Sequence, residues 1–163
     1  MKEDSLLEGI GSGGVDRVII AKVKMGVDLL GAIREIVKRA RIKKGIIVGG
    51  VGALKKAIFR NLKRFPKTFP VKDEDRIYLE IDQPLEIVSL TGHIAPGQGG
   101  EPHVHIHFSA STVMEDNVVT LGGHLTEGTI AYVKVAVIIA VIQQIPMRVK
   151  FSAQIKSEEL AID

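Results

Sequence analysis

The stretch His103-Val104-His105-Ile106-His107-Phe108 places an imidazole at every second position with an apolar side chain after each. Strict two-residue alternation matches the pleat of a β-strand, in which side chains at i, i+2 and i+4 share one face. A helix would scatter the same residues around its circumference. The pattern therefore predicts a strand with a row of histidines on one side and Val104, Ile106 and Phe108 turned into a core. All five histidines of the chain, His93 and His124 included, lie between Gly92 and Gly128. Imidazole is the commonest metal ligand and the usual proton carrier near neutral pH, so the chemistry of the chain is expected here.

Geometry limits what the row can hold. Adjacent members have Cβ atoms roughly 6–7 Å apart, and zinc–nitrogen bonds are ~2.0–2.1 Å, so two neighbouring imidazoles can converge on one ion. The outer pair, roughly 13 Å apart, cannot easily do so. A site takes two of the row plus His124 or His93, and three neutral nitrogens with an open fourth position suit zinc. The rival reading is an exposed face that carries histidines, or a stack of them at a subunit contact. His93 alone reads as structural. Glu101 and Glu127 are candidates to orient the histidines or accept their protons, although each also suits an ordinary loop. No Ser-His-Asp order is legible.

Composition excludes several classes. At 163 residues, 45% apolar and 25% charged, the chain suits one soluble domain with a sizeable core. Five Phe, two Tyr and no Trp leave few platforms for stacking single-stranded bases. Without cysteine there is neither a disulfide framework nor a thiolate metal site, which fits a cytoplasmic or nuclear setting. A net charge of +3 permits contact with phosphate without demanding it. The segment carrying Lys55, Lys56, Arg60, Lys63 and Arg64 reads as a solvated edge strand or loop, or as a phosphate-contacting patch for DNA. The start of the chain lacks the apolar run of a secretory signal. The longest apolar run, Ile130 to Ile145, falls short of the ~20 residues of a spanning helix, so no membrane role is expected.

In order, residues 1–16 read as a flexible arm ending in Gly11-Ser12-Gly13-Gly14; no lysine follows that would make it a phosphate loop. Arg17 to Lys24 predicts a strand. Asp28 caps a helix whose apolar stripe is Leu29, Leu30, Ile33, Ile36, Val37 and Ala40, with Gly45 as its stop. Strands are predicted from Gly45 into a glycine turn, at Arg76 to Ile81 and at Pro84 to Ile94, where Leu85, Ile87 and Ser89 oppose Glu86, Val88 and Leu90. After the histidine strand come a turn at Glu115-Asp116-Asn117, a return strand to Leu121, and a Gly122-Gly123 turn that brings His124 back. Thr129 to Ile142 predicts one long strand, apolar on both faces. Met147 to Ile155 closes the sheet, and residues 156–163 form a loose tail. The sum is an α+β domain over 17–155: about eight mostly antiparallel strands and one main helix.

Gly97 followed by His103-x-His105 fits the start of the first cupin motif, but the glutamate and the second motif are missing. Five other short motifs fall in a familiar order: Gly26-Val27-Asp28-Leu29-Leu30, Gly50-Val51-Gly52-Ala53-Leu54, Pro84 to Gly92, Pro102 to His107, and Gly122-Gly123-His124-Leu125-Thr126-Glu127-Gly128. Over about residues 17 to 150 the chain resembles the plants-and-prokaryotes conserved (PPC or PCC) domain. That resemblance implies a mostly antiparallel α/β domain built as a homotrimer. It implies H-x-H on a strand and G-G-H beyond it, mapping onto His105, His107 and His124 as metal ligands, with Zn²⁺ the candidate ion. His103 stands where the family often has an aromatic or aliphatic residue. Plant relatives carry AT-hooks, but no Arg-Gly-Arg-Pro hook is present here, so a DNA-associated or regulatory role rests on analogy. The alternative is a zinc-dependent, hydrolase-like enzyme using His105, His107 and His124, in which bound water becomes the nucleophile.

Overall fold

The computed structural model describes residues 6–163. Its one α-helix, α1 (Leu29–Arg39), starts where the sequence places a cap. The Asp28 carboxylate accepts from the Gly31 backbone N–H at 2.7 Å through Oδ1 and from that of Gly128 at 2.7 Å through Oδ2. One side chain thus begins the helix and ties it to a loop a hundred residues away. Leu29, Leu30, Ile33 and Val37 form the buried stripe. Lys38 and Arg39 in the last turn complement the helix dipole.

The strands are β1 (Val15–Lys22), β2 (Gly45–Val51), β3 (Ala53–Leu62), β4 (Arg76–Ile81), β5 (Leu85–Pro96), β6 (Pro102–Met114), β7 (Asn117–Leu125), β8 (Ile130–Ala131), β9 (Ala136–Ile142), β10 (Met147–Ser152) and β11 (Ser157–Ile162). All the pairings between them are antiparallel. The main sheet runs β1-β9-β2-β5-β6-β7-β3-β4, with β8 beside β3. It also closes on itself, because the start of β3 pairs with the start of β5 through Ala53↔Glu86 and Leu54↔Leu85. Inside this curl Phe59 stacks on Phe108 with centroids 4.7 Å apart, and the core includes Leu90, Ile106, Leu125 and the stripe of α1.

Several expectations change. Lys55 to Lys67 is neither edge nor loop at its start: β3 lies between β7 and β4. In β5 the predicted alternation breaks at a bulge between Ile87 and Ser89. The extra residue flips the parity, so Leu85 and Leu90 are both buried and Val88 is exposed. The long strand from Thr129 is two strands, β8 and β9, separated at a bend where Lys134 has φ of 57°. β9 is an inner strand between β1 and β2: Val137, Ile139 and Val141 are buried on its core side, while Ala136 and Ile138 on the other side are only partly buried. Met147 onward does not close the main sheet, and the tail expected to be loose forms β11: β10 and β11 make a separate two-stranded sheet. From the arm, the Gly14 carbonyl accepts from the Gln143 N–H at 2.9 Å. No helix among the described residues is long and apolar enough to cross a membrane.

Asp28→Ala removes the helix cap and the tie to Gly128 together. A loss of about 1–2 kcal/mol is expected in urea unfolding, and Asp28→Asn, which keeps an acceptor oxygen, should lose less.

Candidate metal centre

The histidine row lies on β6 as the alternation requires. Ile106 and Phe108 are buried on the core side, and Val104 is partly buried against the same core. Residues directly opposite one another in an antiparallel pair share a face. The register sets His105 against His93 of β5, His107 against His124 of β7, and His124 against Arg60 of β3. Four strands therefore supply one polar face.

His124 arrives by a different route from the one expected. Gly122-Gly123 makes no turn; β7 runs straight through it. The glycine is needed because β3 crosses close by. A Cβ on Gly123 would stand 2.7 Å from Asn61 Nδ2 and 2.9 Å from the Arg60 carbonyl oxygen. The Asn61 amide in turn donates to the Gly122 carbonyl at 2.7 Å. On the other side of the row, a Cβ on Gly92 would lie 2.1 Å from the His105 carbonyl oxygen.

His105 Nε2 and His124 Nε2 are 3.0 Å apart, and the His107 and His124 ring centroids 4.0 Å. One nitrogen from each of His105, His107 and His124 falls within a mutual 4.8 Å, so the three can hold a metal ion. Two imidazole nitrogens on one tetrahedral zinc stand ~3.3 Å apart, close to the His105–His124 spacing. His93 and His103 flank His105, with ring centroids 5.2 and 6.3 Å from it, and Nδ1 of His103 is buried without a hydrogen-bond partner.

Burial first, then neighbouring positive charge, keeps these rings neutral. His105 and His124 are pushed down from 6.5 to about 4, with His93, His103, His107 and Arg60 contributing to the former and His107, Arg60, His105 and Arg76 to the latter. His107 is lowered by burial and then Arg60, and His93 by burial and then His103. Neutral imidazole is the form that binds a metal.

The pairing between β6 and β7 ends at His107↔His124, after which the chain crosses to β3. The sheet splits there, and a cleft of about 830 Å³ opens, bordered by His103, His105, His124, Arg60, Arg76 and Tyr78. Glu127 borders it too but is held by Arg34 at 2.6 Å; Glu101 borders a separate groove beside α1. Among the described residues no carboxylate bonds to a histidine of the triad. The basic segment is divided. Lys56 pairs with Glu80 at 2.6 Å, Arg64 with the buried Asp75 at 2.9 Å, and Arg60 faces the cleft; Lys55 and Lys63 are exposed. Missed by sequence reasoning were Arg76 and Tyr78, which only the β3–β4 register brings to this face.

Fold and site together define a curled antiparallel sheet with a three-histidine centre on its outer face. The chain belongs to the Plants and Prokaryotes Conserved (PCC) domain family, whose model matches residues 10–143. Among solved structures it is similar to a plant- and prokaryote-conserved protein from Pyrococcus horikoshii, at 25% identity and TM-score 0.69 over 93% of this chain and 95% of that one. A metal-containing protein from Archaeoglobus fulgidus shares 21% identity, with TM-score 0.70 over 90% and 94% of the two chains. A protein from Bacteroides thetaiotaomicron, provisionally described as DNA-binding, shares 18% identity, with TM-score 0.70 over 93% and 96%. No curated protein sequence matches the chain significantly.

A pH dependence follows for the metal-free protein. The unfolded chain takes up protons on His105 and His124 near 6.5, and the folded chain only near 4. In between, the unfolded state binds more protons, so stability is complete above the unfolded value and is lost as pH falls toward the folded one. The urea midpoint should fall between about pH 7 and about pH 4.5, and a His105→Phe variant should show a shallower fall.

Proposed function

We propose that this PCC-domain protein is a homotrimeric zinc-binding module whose ion is held by His105, His107 and His124. The observation that carries the reading is the convergence of three neutral imidazole nitrogens on one point with a cleft beside them. The metal-containing relative from Archaeoglobus fulgidus has the same fold, which supports it. Bound zinc would act as a Lewis acid toward whatever enters the cleft. The chain's own part is to keep the three rings neutral by burial and to hold them in register across β6 and β7.

Support for self-association comes from the other half of the same face. The register carries the face from His93 to Ile46 of β2, Ala140 of β9 and Val18 of β1, with Ile20 two residues along. Val18 and Ile20 are 59% and 71% exposed. A run of apolar side chains on a sheet surface favours burial against another copy. Elemental analysis and light scattering on one untagged sample test both parts. Near-stoichiometric zinc in a trimer is expected, with the metal lost in a His105→Ala/His124→Ala variant. A clean monomer would sink the assembly, and absence of metal after zinc is supplied would sink the centre.

A second reading, association with DNA, draws on the description of the Bacteroides relative. In this chain exposed Lys55 and Lys63 support it. Such binding should weaken by an order of magnitude or more between about 50 and about 200 mM salt. Fluorescence anisotropy on a duplex showing flat salt dependence, or no binding at low salt, removes it.

A further inference from the structure

The cleft is lined by three arginines, Arg34, Arg60 and Arg76, and three glutamates, Glu80, Glu127 and Glu158, yet their pairing leaves one arginine beside the histidines without a partner. Arg60 lies directly across β3–β7 from His124, so its guanidinium sits on the metal-binding face. Its positive charge lowers the proton affinity of His105, His107 and His124. Yet among the described residues no carboxylate pairs with it. Glu80 is committed to Lys56, Glu127 to Arg34, and Glu158, on the β11 side of the cleft, makes no ion pair with Arg60. Arg76 is steadied by Asp73 at 3.0 Å and borders the same cleft, and Tyr78 stands opposite Arg60 in the β3–β4 register. Nδ1 of His103, buried and unpartnered, borders it as well. A divalent ion on the histidines would make this otherwise charge-balanced cleft net positive.

We propose that the cleft binds a small-molecule oxyanion, a carboxylate or a phosphate, gripped by the Arg60 guanidinium and completed by Arg76 and the Tyr78 hydroxyl. The planar fork of Arg60 suits two parallel hydrogen bonds to such a group. The inference rests in part on the metal reading, because an anion seated there also borders the open position of an ion on the histidines. Arg60 is then a ligand-binding residue, not a metal ligand, and its removal affects the two kinds of binding oppositely. Loss of its charge spares or tightens zinc and weakens the anion.

Calorimetric titration of inorganic phosphate and of succinate into zinc-loaded and metal-free protein separates the cases. At least one anion should bind the parent, and Arg60→Gln should weaken that binding ~10-fold or more. Lys24→Gln, the same charge change on a distant exposed side chain, should leave it unchanged. Zinc content of Arg60→Gln should match the parent. Which of the two probes binds tells phosphate from carboxylate. No binding of either anion to either form overturns the proposal, as does equal binding by parent and Arg60→Gln. If the protein takes up no zinc, the metal centre fails by itself; the metal-free titration then decides, and Arg60-dependent binding still sustains the anion site. If Arg60→Gln loses zinc as well, Arg60→Lys decides: recovery of zinc with measurable anion binding sustains the site, and continued loss of both makes Arg60 structural and overturns it.

Discussion

β7 stays paired with β6 as far as His124 and pairs there with β3 as well, which it can do only because Gly123 carries no side chain. Any Cβ at that position meets the Arg60 carbonyl and the Asn61 amide. The close crossing has three consequences. It closes the curl in which Phe59 and Phe108 stack. It brings His124 within 3.0 Å of His105 from a strand more than a dozen residues later. It ends the β6–β7 ladder early, so that a cleft opens beside the histidines. Fold closure and site formation are one event, and the same glycine is required for both.

The electrostatics of that face follow from its neighbours. Half-buried imidazoles next to one another and next to Arg60 resist protonation, because each charge would be poorly solvated and repelled. Metal binding and protonation compete for the same lone pairs, so a site in which His105 and His124 stay neutral down to about pH 4, with His107 also lowered, is prepared for a cation without first losing protons. The cost is borne by the metal-free protein, which gives up stability in acid. Arg60 acts on both sides of this balance. It helps to keep the rings neutral, and it leaves a positive field that an anion can satisfy.

Much of this was legible in the residues. The alternation of His103 to Phe108 required a strand with its core side known, and Asp28 ahead of an apolar stripe required a helix start. The triad His105, His107 and His124 came from the family resemblance, since spacing alone left His93 and His124 equal. What local pattern missed has common causes. A bulge in β5 reversed the parity of its second half, and a single extra residue leaves no mark in hydrophobicity. Gly122-Gly123 reads as a turn by composition, because a glycine needed for close approach and one needed for bending look alike. The polar tail became β11 because a partner strand, not its own apolar content, supplies its hydrogen bonds.

The sequence by itself therefore determined the start of the helix, though not its end at Arg39, together with the identity of the chemically active side chains and the face of β6 on which they stand. These depend on neighbours along the chain, where the period of side-chain direction is set by backbone geometry. Only the tertiary structure decided which histidines meet, which arginine faces them and where the sheet opens. Those outcomes depend on the register between strands distant in sequence, and on two contacts, Gly123 against β3 and Gly92 against His105, that no local pattern encodes.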